Sequence, residues 1–323
     1  MTATVGVATS DGSDSVEKMT RHADLALYAA KAAGKHGWQR YSPALSSGMV
    51  RRLEIRSALE QAISDSTFGL VYKPIVSLDT GHIAGFESLV RWPRPDQDTL
   101  MPGQFIDIAE DTGLIVPPGA WVIEQALSDL AAGRASGSRT ADPLVSINVS
   151  ARQFRSGKLV TTVRRALEDA GLPPSLLMLE LTESVLLRHE EGIAANLAEF
   201  KRLGVRLAID DFGTGYSSLS YLRELPIDVL KIDKSFVEGI ATSQQRLALA
   251  KGIVAIANTL GIVVAAEGIE TAEQWKLVTE MGCEYGQGYL LARPMSWQEG
   301  QRLLRANRPL APAPRVDARS AAG

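Results

Sequence analysis

The chain has 323 residues, 45% hydrophobic and 22% charged, enough apolar material for one large α/β domain and a smaller piece. Its formal net charge of −3 excludes a general electrostatic attraction to nucleic acid or anionic lipid, so no DNA partner is expected. No run of roughly 18 or more apolar residues occurs, which argues against a membrane span. The opening MTATVGVATSDGSDS has neither the basic region nor the apolar core of a signal peptide, so the expected compartment is the cytoplasm. A single cysteine, Cys283, permits no internal disulfide and agrees with a reducing environment. The histidines His22, His36, His82 and His189 are scattered, which speaks against a histidine-rich zinc site.

In chain order, TVGVAT reads as a strand. Asp14 and Glu17 resemble a capping pair ahead of VEKMTRHADLALYAAKAAG, whose apolar residues keep helical spacing until Gly34. WQRYS follows as a short strand. These pieces bury too little to fold alone, so residues 1–45 are expected to be the end of a neighbouring domain. SGMVRRLEIRSALEQAIS reads as a charged amphipathic helix within a linker over residues 46–64.

From Gly69 onward, short apolar runs alternate with helical patterns. The runs are GLVYKPIVSL, GFESLVRW, PLVSINVS, LLMLELTES, VRLAIDDFG, DVLKIDKSF, IVVAAEGIE and EYGQGYLL, and the helical patterns include 121–132, 157–170, 189–203 and 241–260. This alternation predicts an α/β fold, a TIM-like (β/α)8 barrel over residues 65–304. Only DTGH joins the first two runs, too short for a helical crossover, so the first strand should run antiparallel. Residues 305–323 are rich in Pro, Ala and Arg and are expected to be disordered.

Polar residues recur at the ends of these runs: Glu87, Asn148, Glu180, the pair Asp210 and Asp211, Lys231 and Asp233, Glu267 and Glu270, and Gln287. In a barrel such positions converge on the C-terminal face, where barrel enzymes place their sites. Each has a plainer reading: Asp233 and Glu270 suit helix caps, and Asn148 suits a turn. Tyr216, Ser217 and Ser218 have no nearby histidine, against a serine nucleophile, and the third glycine of a dinucleotide loop is replaced by Ser218. Taken together, so many carboxylates in one barrel mouth require positive charge. Bound divalent cations are the expected source. Carboxylates and an amide, without thiolate or imidazole, favour Mg²⁺ or Mn²⁺. The adjacent aspartates could serve two ions, with the turn at Gly213 bringing the second carboxylate back, and two such ions are the usual device for phosphodiester hydrolysis. Lys231 would steady the attacking water or the phosphate.

The segments GFESLVRW, INVS, LELTES, IDDFGTGYSSLSYL, LKIDKSF, AAEGIE and QGYLLARP resemble, in order and over residues 69 to about 300, the motif series of the EAL-domain cyclic di-GMP phosphodiesterases. The resemblance implies hydrolysis of cyclic di-GMP to linear pGpG with two ions, Mg²⁺ or Mn²⁺. It implies Glu87, Asn148, Glu180 and Asp210 as ligands of a first metal and Asp211 as a ligand of the second. Lys231 would hold the nucleophilic water, and Glu267 would act as general base or complete the metal shell. Arg91 would pair with a substrate phosphate, while Lys73, Leu89, Asp233 and Gln287 would line the substrate and Glu270 the metal and water environment. Glu183 would tether the DDFGTGYSSL loop, through which the family couples dimer contacts to metal binding, so a homodimer is implied. Residues 1–45 resemble the C-terminal end of a GGDEF diguanylate cyclase domain through VGVAT and ADLALYAAKAAGKHG, without the cyclase signature.

Two positions depart from the family pattern. The signature tripeptide is Glu87-Ser88-Leu89, with serine in place of alanine, a small-for-small exchange that should cost little. Lys73 stands where the family has a glutamine that contacts guanine; it keeps donors but loses the acceptor and adds charge. The rival to an active phosphodiesterase is a catalytically weak cyclic di-GMP receptor that signals through a partner protein. A pure interaction module would leave the acidic cluster unexplained.

Overall fold

A computed structural model describes residues 3–10, 12, 14–32, 37–94, 97–135, 142–186, 193–213, 222–223 and 225–310. The chain divides into two compact units, residues 1–66 with 107–112, and residues 67–106 with 113–323. In the first, strands β1 (Val5–Val7) and β2 (Trp38–Arg40) pair in parallel, with the helix Val16–Ala32 between them in sequence. Capping of that helix falls to Ser15, which accepts from the amide of Lys18. Asp14 instead pairs with the Lys18 ammonium one turn on, so the expected Asp14–Glu17 pair is corrected: the hydroxyl between them reaches the free amide. The expected linker helix forms as Pro43–Asp65, with proline in its first turn.

The second unit is a closed barrel of eight strands. β3 (Gly69–Ser77) is antiparallel to β4 (Ile83–Arg94), as the short connection requires. Parallel pairing then runs through β6 (Leu144–Asn148), β7 (Leu177–Thr182), β8 (Arg206–Phe212), β9 (Val229–Ile232), β10 (Val263–Ala266) and β11 (Tyr285–Gly286). β11 closes the ring onto β3 in antiparallel register, Tyr285 opposite Ser77. The sequence reading missed β5 (Gln97–Leu100), which extends β4 outside the ring, and the helix Pro102–Thr112. The helix expected over 121–132 runs Val116–Ala135, and those expected at 157–170 and 241–260 are Leu159–Ala170 and Gln244–Thr259. The helix expected at 189–203 is described as Ile193–Leu203, its first residues lying outside the described ones. Residues 214–221, and 311–323 of the expected tail, also lie outside; for 305–310 the expected disorder is corrected, since the helix Trp297–Ala306 runs into the segment and the Leu310 amide donates to the Gly81 carbonyl at 2.8 Å.

The barrel interior is layered because strand side chains alternate faces with a period of two. Ile75, Leu144, Met178, Ala208, Val229 and Ala265 form one buried apolar cluster, with Tyr285 packed against it. A Cβ on Gly85 would lie 2.5 Å from Leu144, so at this level β4 has room only for glycine. Two residues along each strand toward the mouth stand Lys73, Glu87, Ser146, Glu180, Asp210, Lys231, Glu267 and Gln287. On β3, which runs the other way, the step is from Ile75 back to Lys73. The apolar layer is thus a floor beneath a polar one.

Candidate active site at the barrel mouth

Lys231 is the centre of the polar layer. It is 1% exposed, yet its Nζ lies 2.7 Å from Glu180 Oε2, 2.8 Å from Asp210 Oδ1 and 2.6 Å from Glu267 Oε1. Burial opposes its charge, but Glu180, Glu87, Glu267 and Asp210 overcome that and hold its pKa well above the usual lysine value. Burial pushes the Glu180 carboxyl upward, with Lys231 pulling the other way. The positive charge that the sequence reading assigned to bound cations is therefore supplied in part by the protein's own ammonium, because strand period places Lys231 on the same inward face as the acids.

Glu87 is the second node. Its Oε1 accepts from Asn148 Nδ2 at 2.9 Å, and its Oε2 accepts from Gln287 Nε2 at 3.4 Å and lies 3.9 Å from Lys73 Nζ, its cross-strand partner. Asn148 is therefore more than a turn residue, since it ends β6 with its amide committed to Glu87. Arg91, half-buried on β4, donates to the carbonyl of Val90 at 2.8 Å; burial lowers its pKa, with Glu87 pulling the other way. Leu89 lies two residues beyond Glu87, opposite Val71 and partly buried.

Asp210 and Asp211 diverge. The pairing of β8 with β9 slips between Ile209 and Phe212, and Asp211 takes a left-handed conformation, φ 51°. The break in register thus falls at Asp211 itself, two residues ahead of the Gly213 turn. Partial burial, then the negative charges of Asp210, Glu267 and Asp233, push the Asp211 carboxyl up to about 6. Gly213, φ 93°, tolerates no Cβ, which would meet the Phe236 ring at 2.4 Å. Its amide points to Glu183 Oε2 at 3.4 Å, so Glu183 holds the described start of the DDFGTGYSSL loop.

Asp233 and Glu270 stand apart from the central cluster. Asp233 caps the short helix Lys234–Val237, accepting from the Ser235 amide at 2.9 Å, and against the upward push of burial these bonds hold its carboxyl below the usual range. Glu270 pairs with Lys234 Nζ at 2.6 Å at the exposed rim. It is not a cap, since Thr271 caps the helix Ala272–Glu280 in a capping box with Gln274.

The sequence reading missed Ser146, which is fully buried and donates from Oγ to Glu180 Oε1 at 2.5 Å. It also missed the role of Ser88, whose hydroxyl donates to the Ser146 carbonyl at 3.0 Å. The available signal was period two: Ser146 precedes Asn148 by two and shares its face.

The donor chemistry fits a hard cation, with carboxylate and amide oxygens and no thiolate or imidazole. Among the described residues no three Asp, Glu, His or Cys side chains already close around one point as a metal cage; Glu180, Asp210 and Glu267 meet around Lys231.

A closed barrel with a charged cluster at the C-terminal ends of its strands places the chain among the TIM-like barrels with a mouth site. Residues 56–294 match the profile of the EAL domain, and the chain belongs to that family. It is 40% identical over 310 residues to the cyclic di-GMP phosphodiesterase NbdA of Pseudomonas aeruginosa, an alignment covering 95% of this chain and 39% of the relative. It is 38% identical over 300 residues to the bifunctional diguanylate cyclase/cyclic di-GMP phosphodiesterase MucR of the same organism, covering 91% and 43%. The chain thus spans about two fifths of the length of these curated relatives. The MucR phosphodiesterase solved with c-di-GMP superposes with a TM-score of 0.72 at 40% identity, covering 76% of this chain and 99% of that one. An EAL enzyme solved with cAMP and cyclic di-GMP gives 0.75 at 35% identity, covering 80% and 70%. Among the described residues no helix is long and apolar enough to cross a membrane.

Proposed function

We propose that this protein hydrolyses cyclic di-GMP to linear pGpG with divalent cations, Mg²⁺ or Mn²⁺, at the barrel mouth. The observation that carries the reading is the convergence of Glu180, Asp210 and Glu267 on Lys231, beside Glu87, in a barrel similar to one solved with c-di-GMP. Glu87, Asn148, Glu180 and Asp210 would hold one ion, and Asp211, with Glu267, a second. The bound ions supply Lewis acidity toward a phosphodiester. Arg91 offers its guanidinium fork to a phosphate. The Lys231 ammonium orients the attacking water and Glu267 takes its proton. The water oxygen forms a bond to phosphorus as one P–O bond of the ring breaks, and the departing sugar oxygen takes a proton from solvent to leave as a hydroxyl, Glu267 returning its own to solvent. Lys73, Leu89 and Gln287 line the substrate, with Asp233 holding the adjacent helix start and Glu270 its rim.

Residues 1–45 are read as the C-terminal part of a GGDEF domain, supported by the parallel β1–helix–β2 unit. A homodimer is proposed through the loop that Glu183 tethers, and the cytoplasm as the compartment.

Product analysis tests the reading: purified protein with Mg²⁺ or Mn²⁺ should convert cyclic di-GMP to pGpG. Binding without turnover in any divalent ion would instead assign a receptor. Absence of binding would remove both.

A further inference from the structure

Three adjacent strands carry a buried hydrogen-bonded chain behind the carboxylates. Ser88 Oγ on β4 donates to the Ser146 carbonyl on β6 at 3.0 Å, and Ser146 Oγ donates to Glu180 Oε1 on β7 at 2.5 Å. Glu180 Oε2, the other oxygen, faces Lys231 at 2.7 Å. Ser146 is 0% exposed and Glu180 1%, so no water competes for these bonds. A buried hydroxyl is costly unless bonded, and the position two residues earlier on the same face is the apolar Leu144; packing alone gives no reason for serine here. The terminal carboxylate torsion of a glutamate is broad and roughly two-fold, so without a partner Glu180 could swing between presenting one oxygen and two.

We propose that Ser146 is a positioning residue: by occupying Glu180 Oε1 it leaves the single oxygen Oε2 to the reacting centre, and Ser88 fixes the Ser146 backbone behind it. The inference rests on the reading of Glu180 as a cation ligand. It assigns a purpose to the serine of the Glu87-Ser88-Leu89 tripeptide.

The test is calorimetric titration of Mn²⁺ into the metal-free full chain, with urea unfolding of each variant alongside. Ser146→Ala should bind Mn²⁺ about 10–100-fold more weakly, the usual loss when the outer partner of a metal ligand is removed. Ser146→Thr, which retains the hydroxyl, should restore binding to within about threefold, less than one net hydrogen bond is often worth. Unchanged affinity in Ser146→Ala, with Glu180→Ala weakened, would overturn the positioning role alone. Unchanged affinity in Glu180→Ala would overturn the ligand reading and the inference with it. Should Ser146→Ala fail to fold, Ser88→Ala decides: a loss of about 2–10-fold, the size of one neutral hydrogen bond, supports the proposal, and no loss overturns it.

Discussion

The two layers inside the barrel occupy the same strands, face the same way and lie one pleat apart, yet their chemistry is opposite. Below, Ile75, Leu144, Met178, Ala208, Val229 and Ala265 pack as apolar residues. Above, Ser146, Glu180, Asp210, Lys231 and Glu267 hold one another by hydrogen bonds and ion pairs, with Lys73 beside Glu87. The lesson is that the lower layer gives the upper its strength. Closed from below, Glu180 and Lys231 are desolvated, and charges that would be weakly coupled in water become strongly interdependent.

Substitutions in the two layers should therefore differ in whether cation binding and turnover are lost along with stability. Glu87→Ala or Asp210→Ala should lower turnover of cyclic di-GMP by more than about 100-fold, since even an outer partner of a metal ligand is worth 10–100-fold; steady-state kinetics with saturating Mn²⁺ checks this. Lys231→Met should cost about 3–5 kcal/mol of stability, the loss on removing one partner of a buried ion pair, read by urea unfolding in chelator. Unaltered stability there would mean that the ammonium is not the counterion of the layer. Met178→Ala, in the floor, should cost a comparable ~2–5 kcal/mol through the cavity it leaves, while the folded fraction retains cation binding. Equal loss of cation binding in Met178→Ala and Glu87→Ala would erase the distinction between layers.

A finer distinction lies at the rim. Asp211 has its folded pKa raised to about 6, against ~3.9 in an unfolded chain. Between these values the folded state holds the extra proton, so wild-type stability falls, relative to Asp211→Asn, as pH rises from about 4 through 6. Asparagine also tolerates the left-handed backbone there. Unfolding in chelator at stepped pH should show Asp211→Asn gaining over wild type across that window and binding Mn²⁺ more weakly; parallel curves would refute the shift. The smallest effect is expected for Lys73→Gln, which removes the charge beside Glu87 and restores an acceptor. It should tighten cyclic di-GMP binding by tenfold or less, about 1.4 kcal/mol, and calorimetry that shows weaker binding would count against a guanine-facing role.

Much of the site was legible because barrel strands announce themselves as apolar runs, and the residue at the end of each run faces the mouth. Glu87, Asn148, Glu180, Asp210, Lys231, Glu267 and Gln287 were all found this way, and the short DTGH connection fixed the antiparallel first strand. Less legible were groups whose role depends on a neighbour from another strand. Ser146 looks like filler until β7 brings Glu180 to it, and β5 is too short to signal itself. Capping was ambiguous for the same reason: Asp14, Ser15, Glu270 and Thr271 are all chemically able to cap, and only backbone direction selects Ser15 and Thr271.

By itself, the sequence determined the alternation of strands and helices, the face on which the acids lie and the kind of ion their oxygens suit, because these follow from period, connection length and donor chemistry. Tertiary structure decided what balances the acids, which oxygen of Glu180 meets Ser146 and which meets Lys231, and how Asp211 departs from Asp210. Those outcomes depend on distances of a few ångströms between strands remote in sequence, and such distances are set only when the ring closes.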